Sequence, residues 1–93
     1  MNDWILFYKP AVLDDAFTTM PCRTQALYFM LGINSDKNGD CYSPKSTAKM
    51  IGASDEDLDE LVKRGFIQFF KNNLGFTCVH VFGAFDASNE EDE

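Results

Sequence analysis

The stretch SPKSTAKMIGASDEDLDELVKRG, residues 43–65, holds two helix starts and two helix stops, and its reading decides the fold. Ser43 caps and Pro44 fits a first helical turn, where a missing N–H costs nothing. Thr47, Ala48 and Ile51 then recur at helical spacing, so a short helix runs to about Ile51. Gly52-Ala53-Ser54 reads as a tight turn. Ser54 is an N-cap with Asp57 three residues on, a capping-box-like pair, and Asp55 and Glu56 put negative charge where the helix dipole favours it. Leu58, Leu61 and Val62 form the apolar stripe of this second helix, and Lys63, Arg64 and Gly65 close it.

Downstream, the residues change to strand formers. Phe66 to Phe70 and Phe76 to Phe82 are aromatic or β-branched runs separated by Lys71 to Gly75, which predicts a hairpin. Upstream, Asn34 to Asp40 is a turn-rich connection centred on Asn38-Gly39, and Cys41-Tyr42 can form a brief strand. Ala26, Leu27, Phe29, Met30, Leu31 and Ile33 surround most of a helical wheel after Pro21, so a central, buried helix is expected there. Asp14 and Asp15 precede a possible short helix ending near Met20. The first segment, Trp4 to Tyr8, reads as a short strand or docking arm stopped by Pro10, which disfavours helix at Lys9.

Ninety-three residues fit one domain. Residues 1–85 are expected to form it, with residues 86–93 an acidic, flexible tail that cannot bury itself. The net charge of −7 sits mainly in that tail, leaving the body near −2. Cys22, Cys41 and Cys78 are odd in number and far apart in sequence, which argues for packing residues in a reducing compartment. No basic region precedes an apolar run at the N-terminus, and the longest apolar run is too short to span a bilayer. A cytoplasmic protein that makes no membrane contact is expected.

Helix, short helix, three-residue turn containing Gly, helix and hairpin is the order of a helix-turn-helix with a wing, an α+β domain of three to four helices. The residues from Met20 to Leu31, Asp36 to Asp40, Ala48 to Leu58 and Leu61 to Ile67 sharpen this. Their most specific runs are Gln25-Ala26-Leu27-Tyr28-Phe29 and Met50-Ile51-Gly52-Ala53-Ser54 followed by three acids and Leu58. Together they resemble the N-terminal winged-helix domain of phage replisome organisers and DnaD-like replication initiation proteins of Gram-positive bacteria. The resemblance covers roughly residues 13–82. It implies DNA binding, self-association or contacts within a replication initiation complex, in a bacterial host cell. Where such proteins continue through a basic, aromatic segment, this chain goes Gly83-Ala84-Phe85-Asp86 and ends in acids.

Lys45, Lys49, Lys63, Arg64 and Lys71 could supply a few phosphate contacts along the second helix of the motif, the end of the third and the wing tip, or be ordinary surface. Asn72 and Asn73 could reach a groove from the wing tip, though they are turn formers first. Asp55, Glu56, Asp59 and Glu60 lead a helix that phosphates would repel. They read as a solvated face, as a docking face for a basic protein partner, or as part of a base-reading helix. Asp36, Asn38 and Asp40 invite a calcium-loop reading, but the pattern's sixth and twelfth positions fall on Cys41 and Thr47 rather than Gly and Glu. His80 reads as a partly buried strand histidine. With no phosphate loop, nucleophile elbow or metal-ligand spacing, neither an enzyme nor a cofactor is expected. The expected function is non-catalytic macromolecular binding in a DNA-replication nucleoprotein complex, with weak duplex DNA contact. The alternative is an acidic inhibitor of a nucleic-acid-handling host machine, of the anti-CRISPR or anti-restriction kind.

Overall fold

The computed structural model describes residues 4–86. Ten elements follow in order: β1 (Ile5–Phe7), α1 (Lys9–Val12), α2 (Asp15–Thr18), α3 (Cys22–Ile33), β2 (Asp40–Cys41), α4 (Pro44–Met50), α5 (Asp55–Lys63), β3 (Ile67–Lys71), β4 (Thr77–Val81) and β5 (Ala84–Asp86). The chain is an α+β globule with two small antiparallel sheets, one ordered β2-β4-β3 and the other pairing β1 with β5. No helix among the described residues is long and apolar enough to cross a membrane.

Local sequence chemistry accounts for most of these elements. Pro44 opens α4, and α5 starts after Ser54, whose N–H donates 2.9 Å to Asp57 Oδ2. The hairpin β3–β4 pairs Phe69 with Val79 across its middle. Gly39 takes φ +84°, a turn conformation that suits glycine, within a loop held by Asp36, whose Oδ1 accepts the N–H groups of Asn38 and Asp40.

Three expectations need correction. Pro10 does not prevent helix at Lys9: α1 begins there, and the ring sits in the first turn, where no intrahelical N–H is required. The sequence pattern missed the β1–β5 sheet, with Leu6 opposite Phe85, because its partners lie nearly eighty residues apart. Asp86, the first residue assigned to the acidic tail, is the last of β5, and residues 87–93 lie outside the described residues.

The core lies between α3, α5 and the inner face of β2-β4-β3. Leu27, Leu31, Leu58 and Leu61 are buried as their helical spacing predicts, and Phe66 and Val79 are buried with them, whereas Met30 and Ile51 are half-buried and Val62 is exposed. On α3, Ala26 and Ile33 face solvent, so that helix is buried on one side only. Phe17 from α2 fills the space instead, making edge-on contacts with Tyr28 at 5.2 Å and Phe66 at 5.3 Å between ring centroids. Tyr28 is fully buried and donates its hydroxyl 2.6 Å to the carbonyl of Phe82, and burial pushes its pKa up to about 12. Gly32 allows the β1 ribbon to dock, since a Cβ there would fall 2.6 Å from the Phe7 ring. Cys41 and Cys78 pack inside as expected of small residues, but Cys22 is exposed at the start of α3.

Candidate functional site

Helices α4 and α5 meet through the turn at Ile51–Ser54, closed by the Ala53 N–H donating 2.9 Å to the Ala48 carbonyl. The first turn of α5 is then anchored by one carboxylate. Asp57 Oδ1 accepts the Thr24 hydroxyl at 2.7 Å, while Oδ2 accepts Arg23 Nε at 2.8 Å and the Ser54 N–H. Burial works to raise this carboxyl, but the bonds from Ser54, Thr24 and Arg23 outweigh it and hold Asp57 below the usual carboxylate range. Asp57 therefore fixes α5 against α3, and the other acids of the helix lie nearer the surface.

Those acids divide by face. Asp55 and Asp59 line an open depression of about 180 Å³ with Lys45, Leu58 and Phe69, between α4, α5 and β3. Lys45 Nζ lies 3.8 Å from Asp55 Oδ2, both side chains largely exposed, so the pair adds little stability but neutralises part of the acidic edge. Glu60 pairs with Arg64 one turn on, and Glu56 is exposed.

The candidate nucleic-acid contacts lie on three elements. Lys45 and Lys49 line a second open depression of about 390 Å³ with Ser46, Ala48, Ala53 and Asp55. Lys63 and Arg64 end α5. The Arg64 guanidinium is committed to Glu60, to the Ala16 carbonyl at 2.9 Å and to the Thr19 hydroxyl at 2.8 Å, tying α5 to α2. Lys71, Asn72 and Asn73 form the tip of the β3–β4 hairpin. Asn72 Oδ1 accepts the N–H groups of Leu74 and Phe76, so this side chain builds the turn.

Sequence reasoning missed the outer face of the three-stranded sheet. Val79 and Val81 point to the core, so Cys78 and His80 lie on the opposite face of the strand, beside their cross-strand partners Phe70 and Gln68, with Cys78 nonetheless fully buried. His80 is half-buried, with Nδ1 2.8 Å from Asp40 Oδ1 and its ring edge-on to Phe82 at 4.8 Å. At the β2 edge, Tyr42 donates its hydroxyl 2.7 Å to Asp36 Oδ2. That bond and the carboxylate's charge push the phenol up to about 12. Burial pushes the Cys78 thiol up, helped by Cys41 and Asp40. The signal was present in the period-two alternation of Phe76, Cys78, His80 and Phe82 with Thr77, Val79 and Val81.

Comparison with protein-family models, with characterised proteins and with solved structures finds no match to this chain.

Proposed function

We propose that this chain is a phage-type winged-helix protein that acts without catalysis, by macromolecular binding in a DNA-replication nucleoprotein complex. The reading is supported by the order α3, β2, α4, α5, β3, β4, with strands arranged β2-β4-β3, which is the order expected of a helix-turn-helix followed by a wing. The runs that resemble replisome organisers fall on α3, on the α4–turn–α5 unit and at the start of β3. The observation that carries the reading is the pair Lys45 and Lys49 on one open depression beside the α4–α5 turn. Two ammonium groups there, with Lys71 on the hairpin, suit a few phosphate contacts and hence weak duplex binding.

The test is duplex binding followed by fluorescence anisotropy across a salt series. Weak association that falls steeply with salt, and several-fold in Lys45→Glu, Lys49→Glu or Lys71→Glu, is the expected result. Binding that is absent at low salt, or indifferent to all three reversals, overturns the duplex contact.

A second reading is favoured by Asp55 and Asp59 sharing a cleft with Phe69. In it the protein is an acidic inhibitor, presenting carboxylates to the cationic channel of a nucleic-acid-handling host machine. It requires that replacing Asp55, Glu56, Asp59 and Glu60 with Lys abolish competition with DNA for a basic partner. Unchanged competition removes it.

A further inference from the structure

We infer that Asp55 is a brake on the phosphate site of α4: its carboxylate holds the Lys45 ammonium that a DNA phosphate must take over. This deepens the duplex reading above and rests on it.

A shared wall is the first observation. The depression of about 390 Å³ beside α4 and the one of about 180 Å³ between α4, α5 and β3 have two residues in common, Lys45 and Asp55. A phosphate seated beside Lys49 therefore meets both. Lys45 Nζ lies 3.8 Å from Asp55 Oδ2, too far for a hydrogen bond, and the two side chains are 69% and 73% exposed. A phosphate oxygen can approach an ammonium to hydrogen-bonding distance, so it displaces this carboxylate instead of joining it.

The other cations show why the exchange falls on Lys45. Arg64 is held by Glu60, Ala16 and Thr19, and Arg23 by Asp57, so both guanidinium groups are built into the fold. Lys49 is exposed and makes no ion pair among the described residues. Lys45 stands between these cases: it is exposed, yet already paired. Asp55 gives little to the fold in return, since an ion pair in water adds little stability. Its position facing the lysines therefore sets how tightly a polyanion binds. A phosphate that takes a lysine releases counterions, but the Asp55 carboxylate it sets free attracts a cation back, so Lys45 adds little to the salt dependence while Asp55 is present.

The experiment measures binding of the full chain to a DNA duplex by fluorescence anisotropy across a salt series. The variants are Asp55→Asn, Asp59→Asn, and Lys45→Gln alone and combined with Asp55→Asn. Asp59 is the control, exposed one turn further along α5 and lining the smaller depression but not the larger. Asp55→Asn should tighten binding by about three-fold, the size of an exposed ion pair, and steepen the salt slope by up to about 0.9, the value of one phosphate. Asp59→Asn removes the same charge and should gain clearly less, because that carboxylate is not the partner of Lys45 and is screened. In the Lys45→Gln background the gain from Asp55→Asn should vanish, since no ammonium is left to free. Circular dichroism should show the fold unchanged in every variant.

Equal gains from Asp55→Asn and Asp59→Asn would show net charge alone at work and overturn the inference. It falls equally if Asp55→Asn brings no gain, if the salt slope stays as in the wild type, or if the gain persists in Lys45→Gln. Wild-type duplex binding that is lost in Lys49→Glu but indifferent to Asp55→Asn sinks the brake and leaves the proposed function standing. Binding by Asp55→Asn with none by the wild type upholds the brake and removes duplex contact from the native chain. No binding by any variant removes both.

Discussion

Helix α5 and the hairpin β3–β4 adjoin in sequence and pack together, yet nearly all the charged side chains of the pair lie on α5. Five carboxylates lie between Asp55 and Glu60, and none between Leu61 and Phe85. Each element also breaks the rule that apolar residues go in and charges go out. On α5 one acid, Asp57, is buried and bonded, while Val62 is 38% exposed. On the hairpin, Val79 and Val81 are buried while Phe76 and Phe82 stay at the surface. Residue class therefore does not tell architecture from working surface here; hydrogen bonds and face do.

The largest effect should come from the floor that both elements share. Leu61 is fully buried, and Leu61→Ala should cost about 2–5 kcal/mol in chemical denaturation. A loss below about 0.5 kcal/mol removes α5 from the core and with it the shared floor.

The comparison within α5 comes next. Asp57→Ala should cost about 1.5 kcal/mol, the low end of the range for hydrogen bonds to a charged group, because Arg23 is exposed. Asp55→Ala should stay within about 0.5 kcal/mol, since its ion pair lies in water. Equal costs would show that the acids of α5 are alike and that the division is wrong. The sign with pH is fixed by the lowered Asp57 carboxyl. Its stabilisation is present above the unfolded value of about 3.9 and is lost as pH falls through the lower folded value. Denaturation of wild type and Asp57→Asn at neutral pH and in acid should therefore show the gap between them closing in acid.

The smallest effect sharpens the hairpin half. Phe76→Ala should change stability by no more than about 0.5 kcal/mol, despite removing a phenyl ring, because that ring already meets solvent. A cost of several kcal/mol would make Phe76 part of the core and close the outer face as a surface.

What could be read in the sequence follows the same division between local and distant chemistry. Ser54 with Asp57, Pro44, Gly39 and the alternation of β4 act through neighbours a few residues away, so α4, α5 and the hairpin were legible. Asp57 reaching Thr24 and Arg23, Arg64 reaching Ala16 and Thr19, and Leu6 opposite Phe85 join residues more than thirty positions apart. No local pattern encodes such partners. Phe17 entered the core for the same reason: a single ring on a one-turn helix has no periodicity to reveal its buried side. The candidate lysines were legible as residues but not as a surface, because Arg64 looks like any other base until its three partners are seen.

The division of surfaces is tested most directly by following backbone amide resonances while DNA is added to the full chain at low salt. The account predicts shifts at Lys45 and Lys49 on α4, at Asp55 that pairs with Lys45, and at Lys71 on the hairpin, with Glu56 and Asp59 unmoved. Shifts centred on Glu56 and Asp59, or spread evenly over the chain, would contradict it.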